Sequence, residues 1–187
     1  MPFPEPTHTN HTFLGYRGVS RKHFFIANTK AIRYTPPPKA IAGASQLGDG
    51  VYVVSHVQEA IDYALDSAWN YYCNVFKSKD VNDSTARATF EQERWKQWGR
   101  VHAVFVPDAK FNSNKFPLAD FSHVNIDRTG DFVAKNMMTF IARRPKQTWA
   151  LKTQLFDKIQ TIIYPPHTAA LFVKDITEEA WEWYKAN

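Results

Sequence analysis

Between residues 57 and 75 the apolar side chains Val57, Ala60, Ile61, Ala64, Leu65, Ala68, Tyr72 and Val75 recur at three- and four-residue intervals, and no other stretch restricts the fold so tightly. On a helix they form a single stripe that must be buried against another element. Ser55, followed three residues later by Gln58, reads as a capping box at its start. Immediately before it, GDGVYVVS reads as a turn feeding a short β-rich strand, so Tyr52 lies on a strand that runs directly into the helix. Alternation puts Tyr52 on the face opposite Val51 and Val53.

The remaining elements follow from pattern and punctuation. RKHFFIANTKAI, residues 21–32, carries a short helical pattern, and the prolines and glycines of TPPPKAIAGASQLGDG after it make a loop long enough to be functional. Residues 84–98 read as one amphipathic helix stopped by Gly99, and RVHAVFVP as a buried strand ended by Pro107. Residues 108–132 are rich in turn formers and read as irregular, and strand and short helix are equally defensible over 134–156. IQTIIYPP and AALFVKDI read as strands, and the last twelve residues as a helix with Thr177 as N-cap and Glu178 and Glu179 in its first turn. With no repeat and no linker, the 187 residues make a single α+β domain, residues 1–12 reading as a flexible lead-in.

Cys73 is the only cysteine, which rules out an intramolecular disulfide, and its apolar surroundings make it a core residue. The start, MPFPEPTHTNHT, lacks the basic and apolar regions of a signal peptide, and no stretch is long and apolar enough to span a bilayer. The cytoplasm is the expected compartment, with delivery into another cell by another route equally compatible. Lys plus Arg exceed Asp plus Glu by 23 to 18, a mild excess that favours anionic partners, but the charges form no stripe. Six tryptophans raise the idea of stacking platforms beside Arg94 and Lys96, yet Trp95, Trp98, Trp181 and Trp183 more simply close a core.

Most signatures of chemistry are missing: no phosphate loop, no GxGxxG, no HExxH, no GxSxG and no CxxC. The seven histidines lack ligand spacing, so no metal is expected. What stands in order along the chain is GYRGVS (15–20), a short helix, a loop, GDGVYVVS leading into a helix with AIDYA, and late in the chain TIIYPPH. This series resembles the ADP-ribosyltransferase superfamily over about two thirds of the chain. Tyr16, Arg17 and Gly18 match the YRG opening of its arginine-serine-glutamate branch, whereas the second motif with Tyr52 is similar to the histidine-tyrosine-glutamate branch.

The resemblance implies a domain in which two small β-sheets flank a nucleotide cleft, with NAD as substrate and a protein or nucleic acid, or water, as acceptor of ADP-ribose. Cleaving the nicotinamide–ribose bond passes through an oxocarbenium-like state, which calls for a held diphosphate, a stacked nicotinamide and nearby negative charge. Arg17 offers a fork of donors for phosphate or ribose oxygens, with Gly15 and Gly18 letting backbone approach the ligand, against the plainer reading of a surface ion pair beside a turn. Tyr52 is the candidate for stacking on nicotinamide, against a core aromatic, and Tyr63 on the helix is a weaker second. Tyr16 and Gly18 complete the nucleotide-binding set. Where relatives carry the closing glutamate this chain has Gln160, which hydrogen-bonds a hydroxyl but brings no charge.

Three readings follow from Gln160. Asp157 or Glu178 supplies the carboxylate, transfer is slow and assisted by substrate, or the fold binds without catalysis. Outside this family, a basic nucleic-acid-binding module remains, which predicts affinity falling steeply with salt. Ser45 and Gln46, on the long loop, would lie on the nicotinamide side, and His23 has no assigned role.

Overall fold

The computed structural model describes residues 1–20, 51–76, 83–113, 141–148, 153–163 and 170–187. The expected helix in 21–32, the long loop with Ser45 and Gln46, and His23 all lie outside these residues.

The chain is a mixed α+β structure built on one antiparallel sheet. In chain order its elements are β1 (His11–Ser20), β2 (Val51–Val54), α1 (Val57–Phe76), α2 (Ser84–Glu93), α3 (Trp95–Trp98), β3 (Gly99–Pro107), α4 (Asp108–Ser113), β4 (Ile141–Thr148), β5 (Thr153–Ile163), β6 (Phe172–Asp175) and α5 (Thr177–Ala186). The six strands lie in the order β4-β5-β2-β1-β3-β6. β1 pairs with β3 along its whole length, from His11 opposite Pro107 to Ser20 opposite Gly99, with a bulge between Phe13 and Gly15. β2 pairs with β5 through all four of its residues. Between β1 and β2, however, the register consists of Tyr16 opposite Val54 alone. The sheet is therefore two three-stranded halves joined at a single pair.

Its two faces are distinct. On one, Tyr16, Val54, Val101, Ala103 and Phe105 pack against the stripe of α1 and against Trp95, Ile176, Ala180 and Trp181. On the other, Leu14, Val51, Val53, Val104, Val106, Ile163 and Leu171 form a second cluster. The stripe of α1 is the expected one up to Ala68, after which Trp69 and Cys73 continue it four residues apart while Val75 is exposed. α1 lies so close to β1 that a Cβ on Gly18 would stand 1.8 Å from the carbonyl oxygen of Ala60. Gly15 has φ +148°, and a Cβ there would lie 2.6 Å from the oxygen of Val54. Both glycines of GYRG thus admit neighbouring backbone of the protein itself.

Several local expectations are corrected. Residues 84–98 are two helices, because Arg94 leaves helical geometry (φ −126°, ψ −19°) and turns Trp95, 1 % exposed, into the core. α2 is capped by Asp83, whose Oδ1 accepts from the amides of Thr85 and Ala86. Gln58 does not reach back toward Ser55; its Nε2 donates forward to Asp62 at 3.0 Å. At α5, Thr177 is the first helical residue and the capping oxygen is Asp175 Oδ1, which accepts from Thr177 N at 2.9 Å and Thr177 Oγ1 at 2.6 Å. Residues 108–113 are helical where irregular chain was expected, and residues 141–148 are a strand whose Pro145 is tolerated because β4 is the sheet edge.

The lead-in is held in place. Phe3 sits edge-on to Tyr16 and Trp183, and the indole of Trp183 donates to the Met1 carbonyl at 2.7 Å. Cys73 is buried, as expected, and Trp95 and Trp181 are core residues. Among the described residues no helix is long and apolar enough to cross a membrane.

Candidate functional site

Alternation along β1 sends neighbouring side chains to opposite faces. Tyr16 is 4 % exposed in the α1-side core, in edge contact with Phe13 and Phe3. Burial, with a smaller contribution from the charge of Glu5, pushes its phenol up to about 12. Gly18 is on the same side, filled by α1. Arg17, half-buried, belongs to the other side, where its register partner is His102. Of the YRG triplet, then, only the arginine presents a side chain to the second face. Tyr16 and Gly18, expected at the nucleotide, hold packing positions.

Tyr52 stands between Val51 and Val53, both members of the second cluster, so its half-buried side chain is on the α1 side. Arg17 and Tyr52 are accordingly on opposite faces. Their backbones nevertheless flank the same break. Tyr16 opposite Val54 is where β1 and β2 are paired; Arg17 follows on one strand, and Tyr52 stands two residues back on the antiparallel other. Gln160 is the register partner of Val54 on β5, next to the break, and Arg144 is its partner on β4. Tyr63 is on α1 with 43 % exposure. Asp157 lies on β5 between its two ends, and Glu178, on α5, is ion-paired with Lys96 at 2.6 Å. That contact ties the first turn of α5 to α3.

Beside Arg17 the structure assembles a polar row that the sequence reading passed over. Arg17 on β1, His102 on β3 and Asp175 on β6 are successive register partners across three strands. Arg100, two residues before His102, sends Nε to within 3.5 Å of Asp175 Oδ2. His102 is 4 % exposed. Burial lowers its pKa to about 4; Asp175 opposes that shift, and Arg17 and Arg100 add to it. At neutral pH the imidazole is uncharged, so among these four side chains the charged ones are Arg17, Arg100 and Asp175. The available signal was the alternation in RVHAVF, which puts Arg100 and His102 on one side of an otherwise apolar strand.

Among the described residues no group of three or more histidine, cysteine, aspartate or glutamate side chains gathers where it could hold a metal. In comparisons with known proteins, no family model matches this chain and no curated protein is similar to it.

Proposed function

We propose that the chain binds NAD across the break between β1 and β2 and cleaves its nicotinamide–ribose bond, as its resemblance to ADP-ribosyltransferases implies. The observation that carries this is the single-pair joint between the sheet halves, with Arg17 on one lip and Tyr52 on the other. Arg17 and Tyr52 are on opposite faces, so this reading requires β1 and β2 to part beyond that pair for one ligand to meet both. In this reading the two three-stranded halves take the part of the two small sheets that the resemblance implies.

In this reading Arg17 holds the diphosphate or a ribose oxygen, and Tyr52 stacks on nicotinamide, with Tyr63 nearby on the helix. The C–N bond breaks with its electron pair passing to the nicotinamide nitrogen, which becomes neutral. The oxocarbenium carbon is captured by an oxygen or nitrogen of a protein, a nucleic acid or water, whose proton leaves to solvent. Gln160 orients a ribose hydroxyl. The setting is the cytoplasm, or a cell into which the protein is delivered.

A second reading is favoured by one residue. The position opposite Val54 is Gln160, which cannot offset the developing positive charge, so the same fold can bind nucleotide without cleaving it.

The test is nicotinamide release from NAD by the purified chain, with binding followed in parallel. Release is expected to fall about tenfold or more in Arg17→Ala, the size of a lost charge-assisted contact, and to rise in Gln160→Glu. Binding that depends on Arg17 with no release selects the second reading. Absence of both binding and release refutes the two together.

A further inference from the structure

His8 and His11 flank a tight turn in which Asn10 takes a left-handed conformation (φ 60°), one that Asn tolerates better than most residues. The turn closes with the His11 amide donating to the His8 carbonyl at 3.2 Å. It is tied to the sheet from two sides, by the Asp108 amide donating to the Asn10 carbonyl at 3.2 Å and by Thr12 Oγ1 donating to Asp108 Oδ1 at 2.7 Å. His8 lies on the ring of Phe172, centroids 4.1 Å apart, with Phe105 at 5.8 Å. Both imidazoles are therefore held in place, with their Nδ1 atoms side by side.

Three donor atoms meet there. His8 Nδ1 and His11 Nδ1 are 3.2 Å apart, and the carbonyl oxygen of Thr9 is 3.2 Å from the first and 2.9 Å from the second. Ligands about 2.05 Å from a common ion stand roughly 3.3 Å apart in a tetrahedron and about 2.9 Å apart in an octahedron. The observed triangle has edges in that interval, so an ion about 2.05 Å from all three would sit about 1 Å out of their plane. His8 is exposed, leaving the outer coordination positions to water.

We propose that His8 Nδ1, His11 Nδ1 and the Thr9 carbonyl form a binding site for a divalent first-row transition ion of the zinc, nickel or copper type. Two imidazoles and one carbonyl suit these borderline cations better than magnesium or calcium, which prefer oxygen donors throughout. For both Nδ1 atoms to ligate, both rings carry their proton on Nε2. The bound ion pins the turn of residues 8–11 against Phe172 of β6. The site is remote in function from the break between β1 and β2 and stands whether or not NAD is a substrate.

Calorimetric titration of the untagged full-length chain with ZnCl2, and separately NiCl2, tests it. One-site saturable binding is expected, weakened at least tenfold in His8→Ala and in His11→Gln and unchanged in His56→Ala, with all variants unfolding cooperatively in chelator. With Cu2+, electron paramagnetic resonance of the wild type should show coupling to two imidazole nitrogens, reduced to one in either site variant. Absence of saturable binding, or binding that survives both site variants, would overturn the proposal and leave the histidine pair as an imidazole–imidazole hydrogen bond.

Discussion

Replacing Gly18 with alanine is expected to be among the most damaging one-carbon changes available in this chain. The added Cβ would stand 1.8 Å from Ala60 O, 2.6 Å from Ala64 N and 2.9 Å from Ala60 C, all main-chain atoms of α1. A carbon and an oxygen need roughly 3.3 Å, so α1 must withdraw by about 1.5 Å along its contact with β1. A withdrawal of that size loosens the packing of Ala60, Ala64 and Ile61, each 0 % exposed. Overpacking costs about 1–3 kcal/mol where side chains can adjust; here only backbone can give, so the loss is expected at or above about 3 kcal/mol. In a domain of this size that is a fall in melting temperature of about 6–12 °C by differential scanning calorimetry. Two controls sharpen the test. Ala60→Gly should not rescue the variant, because the obstruction is a carbonyl. Gly99→Ala should cost less, its nearest neighbour being a side-chain carbon of Trp95 at 2.9 Å. A Gly18→Ala protein melting within 2 °C of wild type would refute the close seating of α1 on β1. The same contact warns that lost NAD binding in a Gly18 variant would report helix packing rather than a ligand contact.

Two further outcomes follow from the polar row. His102 is neutral when folded, with a pKa lowered to about 4 by burial first and by Arg17 and Arg100 in addition, against Asp175. Its contribution is present above the unfolded value near 6.5 and is lost as pH falls from there toward 4, a span worth about 3 kcal/mol. Melting temperature measured from pH 7.5 to 4 should therefore drop more steeply in wild type than in His102→Gln, and parallel curves would exclude His102 as the cause. Asp175→Ala removes the cap of α5 and the partner of Arg100, for an expected loss of about 1–2 kcal/mol by chemical denaturation; no change would mean that α5 starts equally well without it.

The long periodic stretch 57–75 and the strand leading into it were legible because each is a local pattern with a strong period. So were β3 and the burial of Cys73 and Trp95. That Asp175 Oδ1 takes the first amide of α5 was hidden by Thr177 two residues on, itself a good capping residue, and only the fold decides which oxygen reaches the amide. The break at Arg94 was invisible for a similar reason: the residue has good helix propensity, and the pull comes from the buried site that Trp95 occupies. For the candidate site, sequence picked out Arg17 and Tyr52 but not their faces, since parity within each strand says nothing about how two strands align. His102 escaped notice because its significance depends on Arg17 and Asp175, which come from strands far apart in sequence. Gly18 shows the same limit: a glycine signals close approach without saying what approaches, and α1 is what approaches it.

The single pair joining the sheet halves also bears on how the molecule yields. β1 is zipped to β3 and β2 to β5, while α1, which leaves β2 after only two residues, crosses over to rest on Gly18 of β1. Side-chain packing therefore joins the halves from both faces, α1 on one and the Leu14, Val51, Val53, Val104 and Ile163 cluster on the other, where the ladder joins them at one pair. Amides of β1 and β3 should open to deuterium exchange as one cooperative unit and those of β2 and β5 as another, with α1 linking their fates. For the halves to part about their common joint, both of these packed faces would have to loosen, because the ladder itself holds them at one place.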